Sequence, residues 1–171
     1  MTVTAQDAAS HYASFDDAAL RVWVDGGWAV DALLGRQLRE HDDLDLALDI
    51  RDFGDFSEAA ASLGFAQTGG DGPHNVVLCD ATGRRLDVHL FIRDDDGAVV
   101  GGIAYPTESL TGTGLIGGRT VRCISAPFMV EFLEPYLETH AWKYVPAVEA
   151  LCAAFNLPRP LGLIALREAE P

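Results

Sequence analysis

The stretch EHDDLDLALD, residues 40–49, sets leucines at 44, 46 and 48 among acids at 42, 43, 45 and 49. Side chains two apart on a strand share a face. The alternation therefore predicts a strand over 44–50, with Leu44, Leu46 and Leu48 in the core and Asp43 and Asp45 projecting together from the other side. Asp42 alternates away from that pair and reads as a solvated or capping residue. RRLDVHLFI (84–92) repeats the pattern, with Leu86, Val88, Leu90 and Ile92 as its inward set and Asp87 and His89 facing the other way. If the two strands are neighbours, three carboxylates converge on one face. Like charges that close are unfavourable unless a cation offsets them. Oxygen ligands so arranged suit Mg²⁺, which takes one or two carboxylates plus substrate phosphates and water. Two such ions can clamp the attacking and leaving oxygens of an in-line phosphoryl displacement. Standing alone, a DxD pair reads as an ordinary strand with a solvated acidic face.

Here it does not stand alone. Upstream lies VWVDGGWAVDALLG (22–35), in which a buried strand, RVWVD (21–25), breaks at Gly26-Gly27 and gives way to a short helix, WAVDALLG (28–35), closed by Gly35. A strand running through two glycines into a helix presents bare backbone N–H groups at a helix N-terminus, a setting that favours an anion such as a triphosphate. A glycine pair without the acidic strand would be a plain tight turn.

Elsewhere, AQDAASHYASFDDAAL (5–20) and FSEAAASLGF (56–65) read as helices, the second ending at Gly64. NVVLCD (75–80) and RRLDVHLFI flank ATG as a β-hairpin. GAVVGGIAY (97–105) adds a strand, and the glycine-rich LTGTGLIGGRTVRCIS (110–125) ends in one. Helices follow at 126–138 and 141–155, then a Pro-rich tail. With no repeat, linker or low-complexity block, the chain reads as a single domain over 1–171: a core at about 20–125, a helical part at about 126–155 and a tail at 156–171. The expected class is α+β (α/β mixed), a central mixed β-sheet flanked by helices, with further helices at the C-terminal end.

The chain has 171 residues and a formal charge of −14. Such a balance argues against nucleic acid as a partner, since phosphate contacts need Lys and Arg. Lys143 is the one lysine; the other eleven basic residues are arginines. An acidic surface suits a small cationic ligand, or serves solubility alone. Cys79, Cys123 and Cys152 are odd in number, far apart and without zinc spacing, which suggests a reducing compartment. MTVTAQDAASHY lacks the basic and apolar regions of a secretory signal. No apolar stretch reaches the ~20 residues of a membrane helix. The expectation is a cytoplasmic protein with no membrane partner, as a monomer or homodimer.

DGGWAVDALLGRQLREHDDLDL (25–46) resembles the motif region of small antibiotic nucleotidyltransferases of the polymerase-beta-like superfamily, in particular the lincosamide nucleotidyltransferases and the aminoglycoside 2''-adenylyltransferases. LDVHLF (86–91), RDDDGAVV (93–100) and GRTVRCIS (118–125) extend the resemblance over roughly residues 20–155. It implies a nucleotidyltransferase fold in which Gly26 and Gly27 hold the nucleotide phosphates and Asp43 and Asp45 bind Mg²⁺, two ions being expected. Asp87 would be the general base that takes the acceptor hydroxyl's proton, or a further metal ligand; the base role is preferred.

Arg36, Arg39 and His41 lie in the connection to the acidic strand. A guanidinium pairs with phosphate oxygens in bidentate fashion, which makes Arg39 the chosen triphosphate contact and leaves Arg36 as that or an exposed residue. His41 reads as a hydrogen-bond partner behind the site rather than a proton shuttle. Asp31 either orients an arginine or is solvated. Asp25 is read as a turn residue rather than an acceptor contact, and Trp28 as packing for the helix. His89 touches the acceptor, holds Asp87 in place, or is a satisfied surface histidine.

One departure concerns the C-terminal helices, where the lincosamide enzymes carry acids after a Gly-Tyr pair. This chain has Pro135-Tyr136, then His140 and Lys143, and its WKYV (142–145) looks more like the aminoglycoside branch. Lys143 reaches a nucleotide phosphate or lies on the helix surface. The resemblance thus implies an Mg²⁺-dependent transfer of a nucleoside monophosphate, with ATP as the default donor, to a hydroxyl of a small cationic acceptor such as an aminoglycoside or a lincosamide. Two other readings are an antitoxin of the same fold acting on a partner toxin, and a non-catalytic nucleotide-binding module. Intact Asp43, Asp45 and Asp87 speak against the second.

Overall fold

Leu44, Leu46 and Leu48 are fully buried, and the strand they build lies near the middle of the sheet. The computed structural model of the chain describes residues 2–168. Its elements run α1 (Ala5–Asp17), β1 (Val22–Val24), α2 (Gly26–Leu34), β2 (Asp43–Asp49), α3 (Phe53–Ser62), β3 (Ala66–Gly69), β4 (Asn75–Cys79), β5 (Arg85–Arg93), β6 (Val99–Gly102), β7 (Gly112–Ile116), β8 (Arg119–Cys123), α4 (Ala126–Leu133), α5 (Ala141–Phe155) and α6 (Leu161–Glu168). Among the described residues the strands form one eight-stranded sheet in the order β3-β4-β5-β2-β1-β8-β7, with β6 also paired to β5. It is a mixed sheet: β2 runs antiparallel to β1 and parallel to β5, and β1 runs parallel to β8. A parallel pair needs a long connection; α3, β3 and β4 supply it between β2 and β5.

Local chemistry accounts for the start of α1 and both ends of α2. Thr4 and Asp7 form a reciprocal capping box at the start of α1. α2 opens at Asp25, whose carboxylate accepts from the Gly26 N–H, and closes at Gly35 in the left-handed region (φ +65°). Its side chains Trp28, Ala29, Val30 and Ala32 are all buried, because α2 is covered by the sheet on one side and by α4 and α5 on the other.

The departures from the sequence reading have physical causes. In β5, Leu86, Val88 and Leu90 point inward as expected, but Phe91 is fully buried and Ile92 only half-buried. Phe91 packs against the rings of Trp23 and Tyr105, so this end of the strand is covered on both faces. β3 escaped notice because all four of its residues are exposed and carry no apolar alternation. Residues 110–125 contribute two antiparallel strands, β7 and β8, rather than one terminal strand. Their glycines are explained by close packing: a Cβ on Gly114 would run into the backbone of Ala32 in α2. The helix expected over 126–138 stops at Leu133, and Pro135 sits in a short 3₁₀ turn, Glu134–Tyr136. The expected Pro-rich tail instead contains α6, which follows Pro160 and buries Leu163 beside Glu134, whose carboxylate accepts from the Gly162 N–H. The end of that tail, 169–171, lies outside the described residues. No helix among those described is long and apolar enough to cross a membrane.

Candidate active site

The β2–β5 register places Asp45 directly opposite Asp87, and Asp43 opposite Arg85. The sequence expectation was three convergent carboxylates. The tight group is instead Asp45, Asp87 and His89, each offering one ligand atom within 4.8 Å of the others. Asp43 stands alongside, its carboxylate 2.8 Å from the Arg85 guanidinium. Burial pushes the Asp45 carboxyl up, and the charges of Asp43, Asp25 and Asp87 add to it against the opposing pull of His89, to about 7. A carboxyl held back from ionising by its neighbours is a place where a cation is favoured, and the donor set of carboxylate oxygens and an imidazole fits a divalent metal.

The glycine turn is pressed against this group. Gly26 adopts φ +57°, and a Cβ there would overlap the Asp45 carboxylate. A Cβ on Gly27 would overlap the His41 ring and come within 2.7 Å of the Arg39 guanidinium. Both positions therefore exclude a side chain. The turn is held in place by the Asp25 N–H donating to the Asp45 carbonyl at 2.9 Å. With Asp25 capping Gly26, the first-turn N–H groups of Gly27 and Trp28 have no intrahelical acceptor and lie at the positive end of α2.

A hydrogen-bonded chain runs behind the acids. The Tyr105 hydroxyl donates to Asp25, which is 7% exposed. His89 Nδ1 lies 3.0 Å from the Tyr105 hydroxyl and 3.3 Å from Asp25 Oδ2, while its Nε2 is 3.5 Å from Asp87 Oδ1. Asn75 donates to the same Asp87 oxygen. Burial opposes the imidazolium, but hydrogen bonds to Asp25 and Asp87, with the nearby negative charge, push His89 up to about 10. Burial likewise opposes ionisation of Asp87 and Asp25, and hydrogen bonds overcome it, from His89 and Asn75 in the one case and from His89, Tyr105 and Gly26 in the other. Both carboxyls sit below their ordinary range.

Asp25, Gly26, Gly27, Asp43, Asp45, His89 and Tyr105 line one wall of a cleft of about 840 Å³ whose other wall comes from α4, the 3₁₀ turn and α5, including Glu131, Glu134, Tyr136, Lys143 and Tyr144. Lys143 projects from the first turn of α5 and, with Gly27 and Arg39, also borders a smaller adjoining pocket of about 110 Å³. Arg39 is half-buried, one guanidinium nitrogen donating to the Glu40 carbonyl. Arg36 and Asp42 are exposed.

Asp31 departs from both of its expected roles. It is 3% exposed, lies 2.6 Å from His41 Nε2 and accepts from the Leu38 N–H, so it anchors His41 and the connecting loop rather than an arginine or solvent. His41 is buried against Trp28, the two ring centroids 4.5 Å apart, and Trp28 is 2% exposed in the packing of α2. The sequence reading missed Arg85, Asn75, Tyr105, Glu131 and Glu134. Arg85 and Asn75 carry a weak signal, since the strand and hairpin registers set them opposite Asp43 and His89. Tyr105 arrives from a loop and carries none.

A family model described as aminoglycoside-2''-adenylyltransferase matches residues 9–143. Over 85 residues the chain is 31% identical to a lincosamide resistance protein of Staphylococcus haemolyticus, covering 50% of this chain and 53% of that protein. Over 113 residues it is 31% identical to a 2''-aminoglycoside nucleotidyltransferase of Klebsiella pneumoniae, covering 66% of this chain and 63% of that protein. The chain thus spans less than two thirds of the length of either relative. Its fold matches the lincomycin-bound lincosamide antibiotic adenylyltransferase LnuA with TM-score 0.74 and 24% identity, over 88% of this chain and 98% of that one. It matches ANT(2'')-Ia in complex with adenylyl-2''-tobramycin with TM-score 0.75 and 24% identity, over 98% of both chains. The mixed sheet and its helices are therefore the nucleotidyltransferase fold.

Proposed function

This chain belongs to the aminoglycoside-2''-adenylyltransferase family, and we propose that it transfers a nucleoside monophosphate, from ATP by default, to a hydroxyl of a small cationic antibiotic, an aminoglycoside or a lincosamide. The observation that carries the reading is Asp45 facing Asp87 across parallel strands, with the Gly26-Gly27 helix start against them at one wall of a large cleft.

In this reading the N–H groups of Gly27 and Trp28 receive the triphosphate, and Arg39 and Lys143 close on it from opposite walls. Asp43, Asp45 and Asp87 are the carboxylates that would hold Mg²⁺, which when bound neutralises the phosphates and makes the α-phosphorus more electrophilic. Asp87 stays ionised at neutral pH and accepts the proton of the attacking hydroxyl. Asn75 and His89 fix the direction of its carboxylate. Glu131 and Glu134 draw the ammonium groups of the acceptor into the cleft. Most of the rate then comes from positioning and charge stabilisation. The free cysteines suit a cytoplasmic site of action, and the net charge of −14 disfavours nucleic acid as the acceptor.

The test is a panel of nucleoside triphosphates and antibiotics incubated with the protein and Mg²⁺, read by product mass and pyrophosphate release. An antibiotic gaining one nucleoside monophosphate supports the proposal. No adduct with any aminoglycoside or lincosamide would sink it.

A further inference from the structure

Asp25 is a buried carboxylate shared by three parts of the chain. Its Oδ1 accepts from the Gly26 N–H at 2.7 Å, where α2 opens on the glycine turn. Its Oδ2 accepts from the Tyr105 hydroxyl and lies 3.3 Å from His89 Nδ1 on β5. That ring nitrogen is also 3.0 Å from the Tyr105 oxygen, so both groups meet it from one side. The opposite nitrogen, Nε2, is 3.5 Å from Asp87 Oδ1. Because the imidazole is rigid and planar, a hold on Nδ1 sets where Nε2 points. Capping a helix does not call for such an arrangement. An N-cap uses one oxygen, and Ser, Thr or Asn supplies it as well as Asp. The second oxygen of Asp25 faces two donors, and of the capping side chains only Asp offers a second acceptor there.

We propose that Asp25 is a positioning residue of the transfer reaction. One carboxylate ties the Gly26-Gly27 turn to the His89 ring and, through that ring, sets the direction in which Asp87 meets the acceptor hydroxyl. Tyr105 is the clasp. It arrives on the loop after β6, with its ring centroid 6.0 Å from that of Phe91 and 5.8 Å from that of Phe132, and it keeps Oδ2 and Nδ1 in register. The turn that receives the triphosphate and the group that takes the proton are thereby fixed to one another, as a preorganised site requires. What Asp87 does rests on the nucleotidyl-transfer reading; the linkage from Asp25 to His89 does not.

Asp25→Asn cuts the linkage at one oxygen. The amide oxygen keeps the Gly26 cap, and the amide nitrogen, itself a donor, then faces the Tyr105 and His89 donors. The first measurement is nuclear magnetic resonance of the full chain with ¹⁵N-labelled histidine, without nucleotide or antibiotic. The His89 ring signals should shift in Asp25→Asn and, by less, in Tyr105→Phe. The second is transfer kinetics. Asp25→Asn should lower kcat at least tenfold, within the about 10²–10⁴-fold that a general base supplies. Affinity for an Mg²⁺-bound non-hydrolysable triphosphate should stay level. Made in a His89→Gln background, the same substitution should change kcat by less than about twofold, because residues acting through one chain do not add. Additive losses in the double variant, His89 signals unmoved by Asp25→Asn, or a fall in triphosphate affinity that matches the fall in kcat would each overturn the proposal. Should Asp25→Asn not fold, Tyr105→Phe decides, since it keeps the ring: a loss of kcat that vanishes in the His89→Gln background supports the linkage, and an unchanged kcat rejects it. If no antibiotic is modified, the transfer reading fails and the ¹⁵N signals alone decide whether Asp25 holds His89.

Discussion

Gly26 and Asp45 are a coupled pair of residues: the glycine has no side chain because the carboxylate lies against its Cα. Gly26→Ala meets two penalties. The left-handed backbone costs about 1–2 kcal/mol for a residue with a Cβ, and the overlap with Asp45 moves the carboxylate or the turn. The expected outcome is a melting temperature lowered by several degrees together with loss of nucleotide transfer. Asp45→Asn separates those effects. It keeps the shape and removes a charge crowded by Asp43, Asp25 and Asp87. Transfer should fall by orders of magnitude while the melting temperature stays level or rises. Parallel activity and thermal-melt measurements check it, and an active Asp45→Asn protein would place the metal ligands elsewhere.

Two elements govern how the site is framed. The β4–β5 hairpin that presents Asn75 and Asp87 turns on Asp80, which accepts from Thr82 N and Oγ1 and from Arg84 N and Nε, while Arg84 also reaches Asp7 of α1. Burial alone would raise the Asp80 carboxyl, but those hydrogen bonds hold it far below the ordinary carboxylate range. Since the folded value lies below the unfolded one of about 3.9, Asp80 stabilises the fold fully above that pH. Its contribution fades as pH falls through the folded value. Asp80→Ala should cost about 1–3 kcal/mol at neutral pH. In denaturant titrations against pH, the gap between the unmodified protein and Asp80→Asn should be constant above pH of about 5 and narrow below about 4. The second element is α5, which brings Lys143 to the cleft. Lys143→Ala should raise the nucleotide KM about tenfold, the loss expected of one hydrogen bond to a charged group, with little change in melting temperature because the side chain lies at the cleft rather than in the core. An unchanged KM would put Lys143 on the helix surface only.

Across the protein, the charge of −14 sets a field that acts on the acceptor before contact. For a polycationic acceptor, kcat/KM should fall steeply as salt rises from low to physiological levels, because the Debye length shrinks to about 8 Å. A neutral acceptor analogue should show little dependence, and equal salt sensitivity for both would remove electrostatic steering from the account.

What sequence alone established is what short-range periodicity and local backbone chemistry encode. The period-two runs in β2 and β5 separate the buried leucines from Asp43, Asp45 and Asp87. The glycine pair opens α2 and Gly35 closes it, and α5 occupies the residues its pattern indicated, Ala141–Phe155. None of these needs a distant partner. Tertiary structure settled the rest, since a face says which way a side chain points and not what it meets there. The parallel pairing of β2 with β5 set Asp45 against Asp87 and tied Asp43 to Arg85. A loop delivered Tyr105 to Asp25, and through it fixed the ring of His89. Burial of His41 turned Asp31 toward it, at 2.6 Å. α6 formed where Leu163 found cover beside Glu134. Apart from the Asp31–His41 pair, these depend on chain segments far apart in sequence, whose encounter is decided by burying one shared core and leaves no local periodicity behind.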